Sequence, residues 1–469
     1  MRQTSQTENA GRSASSEGLP GEGSSLSRAV FGVSALMLCG KVLGFLEKVV
    51  IAHFHGTKGT ADVYFGVMGI FWAIVFCVKE LVYPSVLPVY SGTLADRAQI
   101  AGVLFRRVFA AILKVMVVAA VAIALWAPWV TRYLVPGFDR GRQGQAAWLL
   151  RSLLVGMTCL ALAMVTYTCL NARKKFIVSS AGDVVFRLLV VIGLIGLTTW
   201  LGICAVGIAV AVGGVSCLAF HIICLPDRRH LLEVAPAWVA SRESRAVRKL
   251  MLPLALGVIF SHISGLADNL LASTLPGGQL SGLNYAKKLV DAVVLIGPVA
   301  LVTIVYSEVS RLNSTRRDAE KAALIHKAGR VLLYLSIPAA CFLIELRVPT
   351  IRLLFERGQF DADSVAMTAQ ALGMYACGLV TLSLEGLFVY CFYATADTRT
   401  PVVSGVAFVC VDIALAILLM SVYAHVGIAA AFVISKTGKV ITLGALLARK
   451  IKGIWRAEAW AFLAKLTVC

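Results

Sequence analysis

Twelve long apolar stretches dominate this chain of 469 residues, and several carry Lys, Glu or Asp at their centres. A segment of ~20 apolar residues is long enough to cross a bilayer as a helix. In hydrocarbon every backbone polar group must be satisfied within the protein, so helices and closed barrels are the available solutions. A barrel would show alternating segments of ~10 residues, which are absent here. The stretches run over roughly 29–54, 63–90, 103–128, 147–170, 177–200, 203–225, 250–275, 283–310, 328–346, 367–393, 401–422 and 426–448. The composition agrees: 59% of residues are hydrophobic and 15% charged, and mean hydropathy is +0.83. A soluble domain has ~25% charged residues. The expected fold is an all-α polytopic membrane protein of about twelve transmembrane helices.

The net charge of +19 belongs to the loops and implies no nucleic-acid partner. Alternate loops hold Arg97/Arg106/Arg107, Arg173/Lys174/Lys175, the run from Arg228 to Lys249, the run from Arg311 to Lys327, and Arg399. The loops near 201, 276–282 and 423–426 hold neither Lys nor Arg, and two longer ones carry Arg132/Arg140/Arg142 and Arg347/Arg352/Arg357. Basic residues stay on the cytoplasmic side, so both termini are expected there. The cysteines lie almost wholly within apolar runs and form no C-x-x-C pair. They read as small buried hydrophobes, with no disulfide framework or metal site.

The chain echoes itself at a spacing of about 225 residues. Gly32-Val33 corresponds to Gly257-Val258, Asp62 to Lys287, and the stretch ending at Phe176 to the one ending at Pro401. Two six-helix lobes of like orientation follow, related by a pseudo-two-fold axis along the membrane normal. Such halves commonly hold substrate between them and rock. The expected division is a disordered cytoplasmic tail at 1–27, an N-terminal lobe at 28–225, a cytoplasmic linker at 226–249, a C-terminal lobe at 250–448 and a basic cytoplasmic tail at 449–469. The terminal AWAFLAKLTVC is too short to span.

A charge at the bilayer centre costs at least ~2.5 kcal/mol, so it marks a polar path or a tight pairing. The first apolar segment holds Lys41, Glu47 and Lys48, and the second starts at Asp62 and carries Lys79 and Glu80. The seventh holds His262, Asp268 and Asn269, and the eighth Lys287, Lys288 and Asp291. The first two segments of each half thus concentrate the charge, as a cavity between halves requires. The surplus of lysine points to an anionic substrate, with Lys a point-charge binder of phosphate. Purely structural roles compete: mutual pairing of Lys41, Glu47 and Lys48, capping by Asp62, snorkelling by Lys79 and Glu80. Asp183/Arg187, Glu345, Glu385, Asp412 and Lys436/Lys439 read as local pairs or as residues lining helix ends. No phosphate-binding loop, H-E-x-x-H or G-x-S-x-G occurs, so no enzyme is expected and no cofactor. Uphill movement then draws on membrane potential or an ion gradient.

Three stretches carry a resemblance to the MurJ/MviN lipid II flippases of the multidrug/oligosaccharidyl-lipid/polysaccharide exporter superfamily. KVLGFLEKVVIAHFHGTKGTADVYF (41–65) resembles the family's S-R-V/I-L-G-F-x-R-D/E helix and the T-A-D-A-F/Y-F start of the next. LGVIFSHISGLADNLLASTL with LNYAKKL is similar to its seventh helix and the Y-Y-A-D-R-L entry to the eighth. IRLLFERGQFDADSVAMTAQAL with FYATADTRTPV is the most specific. The match spans residues 26–450 in order and spacing. The family's first-helix Arg is Lys41 here, its R-D/E pair is Glu47-Lys48, its second-helix arginines fall on Ile74-Val75, and its eighth-helix D-R is Lys287-Lys288. Arg grips pyrophosphate with a planar fork and Lys does not. The family has two further helices, while this sequence ends after its twelfth apolar segment with at most a fragment beyond.

The resemblance implies a flippase for a polyprenyl-pyrophosphate-linked saccharide, foremost lipid II, in the bacterial cytoplasmic membrane. Lys41, Lys48, Lys287 and Lys288 are the expected substrate-binding residues. Glu47, Asp62, Lys79, Glu80, Asp268 and Asp291 are candidates for ion coupling or cavity pairing. Expected partners are the lipid-linked saccharide, membrane lipids and cell-wall synthesis proteins. Alternatives are another lipid-linked oligosaccharide, a cation-coupled drug exporter, or a non-transporting membrane scaffold of the same fold.

Overall fold

The structure, a computed structural model, describes residues 22–226, 242–314, 317–395 and 397–451. Fourteen helices run through them: α1 Glu22–His55, α2 Gly59–Asp96, α3 Ala98–Leu134, α4 Arg140–Ala172, α5 Phe176–Leu201, α6 Cys204–Cys224, α7 Arg242–Ser273, α8 Gln279–Ile296, α9 Pro298–Ser314, α10 Asp318–Glu345, α11 Arg347–Phe355, α12 Ala362–Cys377, α13 Leu379–Ala394 and α14 Arg399–Lys450. The described residues contain no strand. The fold is an all-α membrane protein.

Eight helices are long and apolar enough to cross a membrane, or nine if the bent pair α12–α13 is one span. The expected count of twelve differs for identifiable reasons. Helix α1, which carries Lys41, Glu47 and Lys48, is not among those eight. The eighth stretch is broken into α8 and α9 at Gly297-Pro298, since proline has no N–H to continue a helix and suits a first helical position. The α14 helix joins the eleventh and twelfth stretches across a kink at Ala424, whose φ is +50°.

Other boundaries also moved. Residues 22–27, expected in the disordered tail, are the start of α1, and 242–249, expected in the linker, open α7. The rest of the tail, the linker from 227 to 241, Arg316 and the segment after Ile451 lie outside the described residues. The short α11 forms in the longer loop that carries Arg347, Arg352 and Arg357.

Helices α1–α6 pack on one another, chiefly α4 on α6, α5 on α6, α2 on α4 and α1 on α5. A second group forms through α8 on α12, α13 on α14 and α10 on α13, and α2 meets α7 across the divide. Three apolar clusters show how the halves meet. The largest crosses between them through Ile51, Phe65, Tyr285, Phe355 and Phe360. Phe65 and Tyr285 ring centroids are 4.8 Å apart, and Tyr285 also meets Phe355 at 5.2 Å. The second cluster draws on α9, α10, α13 and α14. The third draws on α2, α3 and α4 with Leu225 and Val247. The halves therefore share a core at the end bearing the 56–62, 274–281 and 355–364 turns; at the other end the second cluster belongs to the second half alone, while the third brings Val247 of α7 onto α2, α3 and α4.

Candidate functional site: a charged cavity between the halves

Polar contacts close the shared end. Asp62 is buried, and its carboxylate accepts from the backbone N–H groups of Gly278 at 2.6 Å and Ser281 at 2.9 Å. Those are orphan donors at the start of α8, where a carboxylate is favoured. Asp62 was a candidate for ion coupling; it caps a helix of the opposite half. Gly278 has φ of +94°, and a Cβ there would meet the Thr57 carbonyl oxygen at 2.7 Å. Around it, Thr57 Oγ1 lies 2.7 Å from Ser364 Oγ, Tyr285 donates to the Gly56 carbonyl at 3.1 Å, and the Gln359 N–H donates to His53 O at 2.9 Å. The Asp361 side chain accepts from Ser364 N at 2.9 Å. That bond holds the Asp361 carboxyl below its ordinary value.

Below this clasp lies a cavity of about 200 Å³. Helix α2 contributes Trp72 and Phe76, α7 His262, Asp268 and Asn269, α8 Asn284, Lys287, Lys288 and Asp291, and α12 Tyr375. Exposure rises away from the clasp, from 2% at Asp62 to 30% for the Lys287 side chain and 50% for that of Lys288. The cavity is thus open at the end opposite the clasp. Lys287 Nζ sits 3.9 Å from Asp268 Oδ2 and 4.3 Å from the Phe432 ring centroid, a cation–π distance. Lys288 Nζ is 3.9 Å from Asp291 in a half-exposed pair one helical turn apart. Water and substrate can compete for such a pair. His262 Nε2 lies 3.5 Å from Glu80, linking α7 to α2.

The remaining expected residues lie elsewhere. Lys48 and Glu47 are both buried and bond each other at 2.8 Å, while the Tyr64 hydroxyl hydrogen-bonds both. The Lys48 ammonium is 4.7 Å from the Tyr64 ring centroid. Lys48 therefore does not line the cavity, because an adjacent carboxylate and a buried phenol occupy it. Lys41 is exposed, within electrostatic reach of Arg187, Lys79 and Lys288. Lys79 is exposed with its ammonium 5.5 Å from the Tyr167 ring centroid. The sequence reading missed Trp72, Phe76 and Tyr375, since apolar walls look like any other membrane helix, and also Asn284, whose amide donates to Asn269 Oδ1 at 3.1 Å. In the other half, Glu385 bonds Lys439 at 2.6 Å and Lys436 at 3.1 Å, and Ser264 donates to Asp412 at 2.6 Å. The described residues hold no group of acidic, His and Cys side chains suited to a metal ion.

The sequence model of the lipid II flippase MurJ matches residues 73–469. This chain belongs to the MurJ lipid II flippase family. A probable lipid II flippase MurJ of Vibrio cholerae is 27% identical over 414 residues, 85% of this chain and 78% of that one. Its counterpart in Haemophilus influenzae is also 27% identical, over 92% of this chain and 87% of its own. Among solved structures, a lipid II flippase MurJ in an inward closed conformation superposes with a TM-score of 0.79 at 20% identity, covering 88% of this chain and 87% of that one. An inward-facing multidrug MATE transporter of the MOP superfamily gives 0.76 at 13% identity, with 91% and 98% covered. At those identities the structural matches establish the fold, which MurJ and MATE transporters share.

Proposed function

We propose that this MurJ-family protein moves lipid II across the bacterial cytoplasmic membrane by alternately exposing the cavity between its halves. The observation that carries the reading is the half-exposed Lys288, beside Lys287, in a cavity closed at one end by the Asp62 clasp and open at the other. Lysine at such a place favours a phosphorylated head group, while the prenyl tail stays in lipid. The charge bias of the loops makes the open end cytoplasmic and the clasped end outer. The clasp loosens when the loaded halves rock. The family transports its substrate and does no bond chemistry on it. Membrane potential or an ion gradient supplies the drive, with Asp268, Asp291 and Glu80 as candidate coupling groups. The proteins that make and use lipid II are the expected partners.

A cationic-drug exporter would need net negative charge, whereas in this cavity Lys287 and Lys288 balance Asp268 and Asp291. A scaffold has no use for a half-exposed ion pair inside the membrane, which costs stability. The test is growth rescue of a bacterium depleted of its lipid II flippase. The parent chain is expected to restore growth, and Lys288→Ala to fail at equal protein level. Failure of the parent at normal membrane level overturns the reading.

A further inference from the structure

Arg187, on α5, is accounted for by neither the clasp nor the cavity lining. Its Nε bonds Asp183 Oδ2 at 3.0 Å, a pair one turn apart on the same helix. A local ion pair explains that nitrogen alone. Neither Nη atom has a hydrogen-bond partner among the described residues, and the side chain is only 15% exposed. The guanidinium lies 5.5 Å from the centroid of Trp72, which lines the cavity. Two glycines of α1 make room for it. A Cβ on Gly44 would fall 2.5 Å from Arg187 Nη1, and one on Gly40 would fall 2.9 Å from Asp183 Oδ2. Lys41 projects from the same stretch of α1, with Arg187, Lys79 and Lys288 in its electrostatic surroundings.

We infer that Arg187 supplies the bidentate grip on the substrate's pyrophosphate. The inference rests on the anionic-lipid reading above. α1 carries lysine where a fork-shaped cation is expected, and α2 carries Ile74 and Val75. Arg187 brings a guanidinium to the same place from α5, through the notch that Gly40 and Gly44 leave. Nε is spent on Asp183, which fixes the plane of the fork. Both Nη groups keep N–H donors for two phosphate oxygens, a geometry a lysine ammonium cannot reproduce. Lys41 and Lys288 add point charge around it.

The test is equilibrium binding of undecaprenyl pyrophosphate, undecaprenyl monophosphate and uncharged undecaprenol to purified protein in detergent. The parent is expected to prefer the pyrophosphate lipid over the monophosphate. Arg187→Lys keeps the charge and removes the fork, so it is expected to lose about tenfold in pyrophosphate affinity and most of that preference. Gly44→Ala keeps Arg187 in the sequence and puts a methyl group 2.5 Å from its Nη1, so it displaces the fork. It is expected to lose preference similarly, with an unchanged melting temperature. If the parent prefers pyrophosphate and Gly44→Ala and Arg187→Lys both stay within twofold of it, Arg187 is structural and this inference falls while the flippase reading stands. If the parent binds the charged lipids no better than undecaprenol, the anionic-lipid reading falls and this inference with it.

Discussion

Charge inside a membrane sorts residues by what remains free to bind. Lys48 and Lys288 are both lysines in the charged helices of their halves, yet their surroundings separate them. Lys48 is saturated by Glu47 and Tyr64 and sealed from the cavity. Removing one partner of a buried pair leaves an uncompensated charge, at a cost of ~3–5 kcal/mol. Lys48→Met is therefore expected to lower the melting temperature and membrane level sharply, and Glu47→Gln added to it should recover much of the loss. Lys288→Ala should leave the melting temperature nearly unchanged and weaken lipid II binding by roughly tenfold, the worth of one charge-assisted contact. Equal melting behaviour of the two single variants would contradict this division.

Outside the membrane, Asp397 accepts from the Thr400 backbone N–H at 3.0 Å and from Lys450 at 2.9 Å. The first of these, then the second, holds its carboxyl down to about 2. A carboxyl depressed below its unfolded value of ~3.9 stabilises the fold above that value and loses the contribution as pH falls through the folded one. The parent should melt above Asp397→Asn at neutral pH, with the gap unchanged down to about pH 5. The gap should close between ~4 and ~2. A gap that widened on acidification would show that the carboxylate destabilises the turn.

At the scale of elements, the clasp is built from helix ends. Asp62, near the start of α2, caps α8, and Thr57, before α2, touches Ser364 at the start of α12. Helix starts offer unpaired N–H groups, so a carboxylate adds to the apolar core shared at this end a polar hold that can be released again. Thr57→Cys with Ser364→Cys, in a background lacking the native cysteines, is expected to form a disulfide under mild oxidation. Transport should stop and return with reductant. Full transport in the oxidised, cross-linked protein would show that this end need not open.

For the whole molecule, the largest apolar cluster joins the two halves at the clasp, and at the other end α7 carries the second half onto α2 and α3. The loop charges orient the molecule in the membrane. Single cysteines near 320 and near 240, the latter outside the described residues, should be shielded from impermeant thiol reagents applied to intact cells. Cysteines near 140 and 358 should label. Labelling at 320 from outside would invert the molecule and put the cavity mouth on the outer side.

Sequence alone determined the class of structure, because backbone hydrogen bonding in hydrocarbon forces long apolar stretches into helices regardless of what packs beside them. It also determined that the first two segments of each half hold the charge, and the stretch at 351–402 lies within the residues that the family's sequence model matches. It could not separate Lys48 from Lys288, since a half-exposed and a buried, saturated ammonium have the same letter. That difference depends on Tyr64, sixteen residues away, and on which face of α8 meets the cavity. Asp62 looked like a local cap or a coupling group, and its partners proved to be more than two hundred residues on. Arg187 looked like half of a local pair until folding set it in the Gly40–Gly44 notch of another helix. Segment class follows from local composition, whereas the fate of each charge follows from long-range contacts that only the packed halves create.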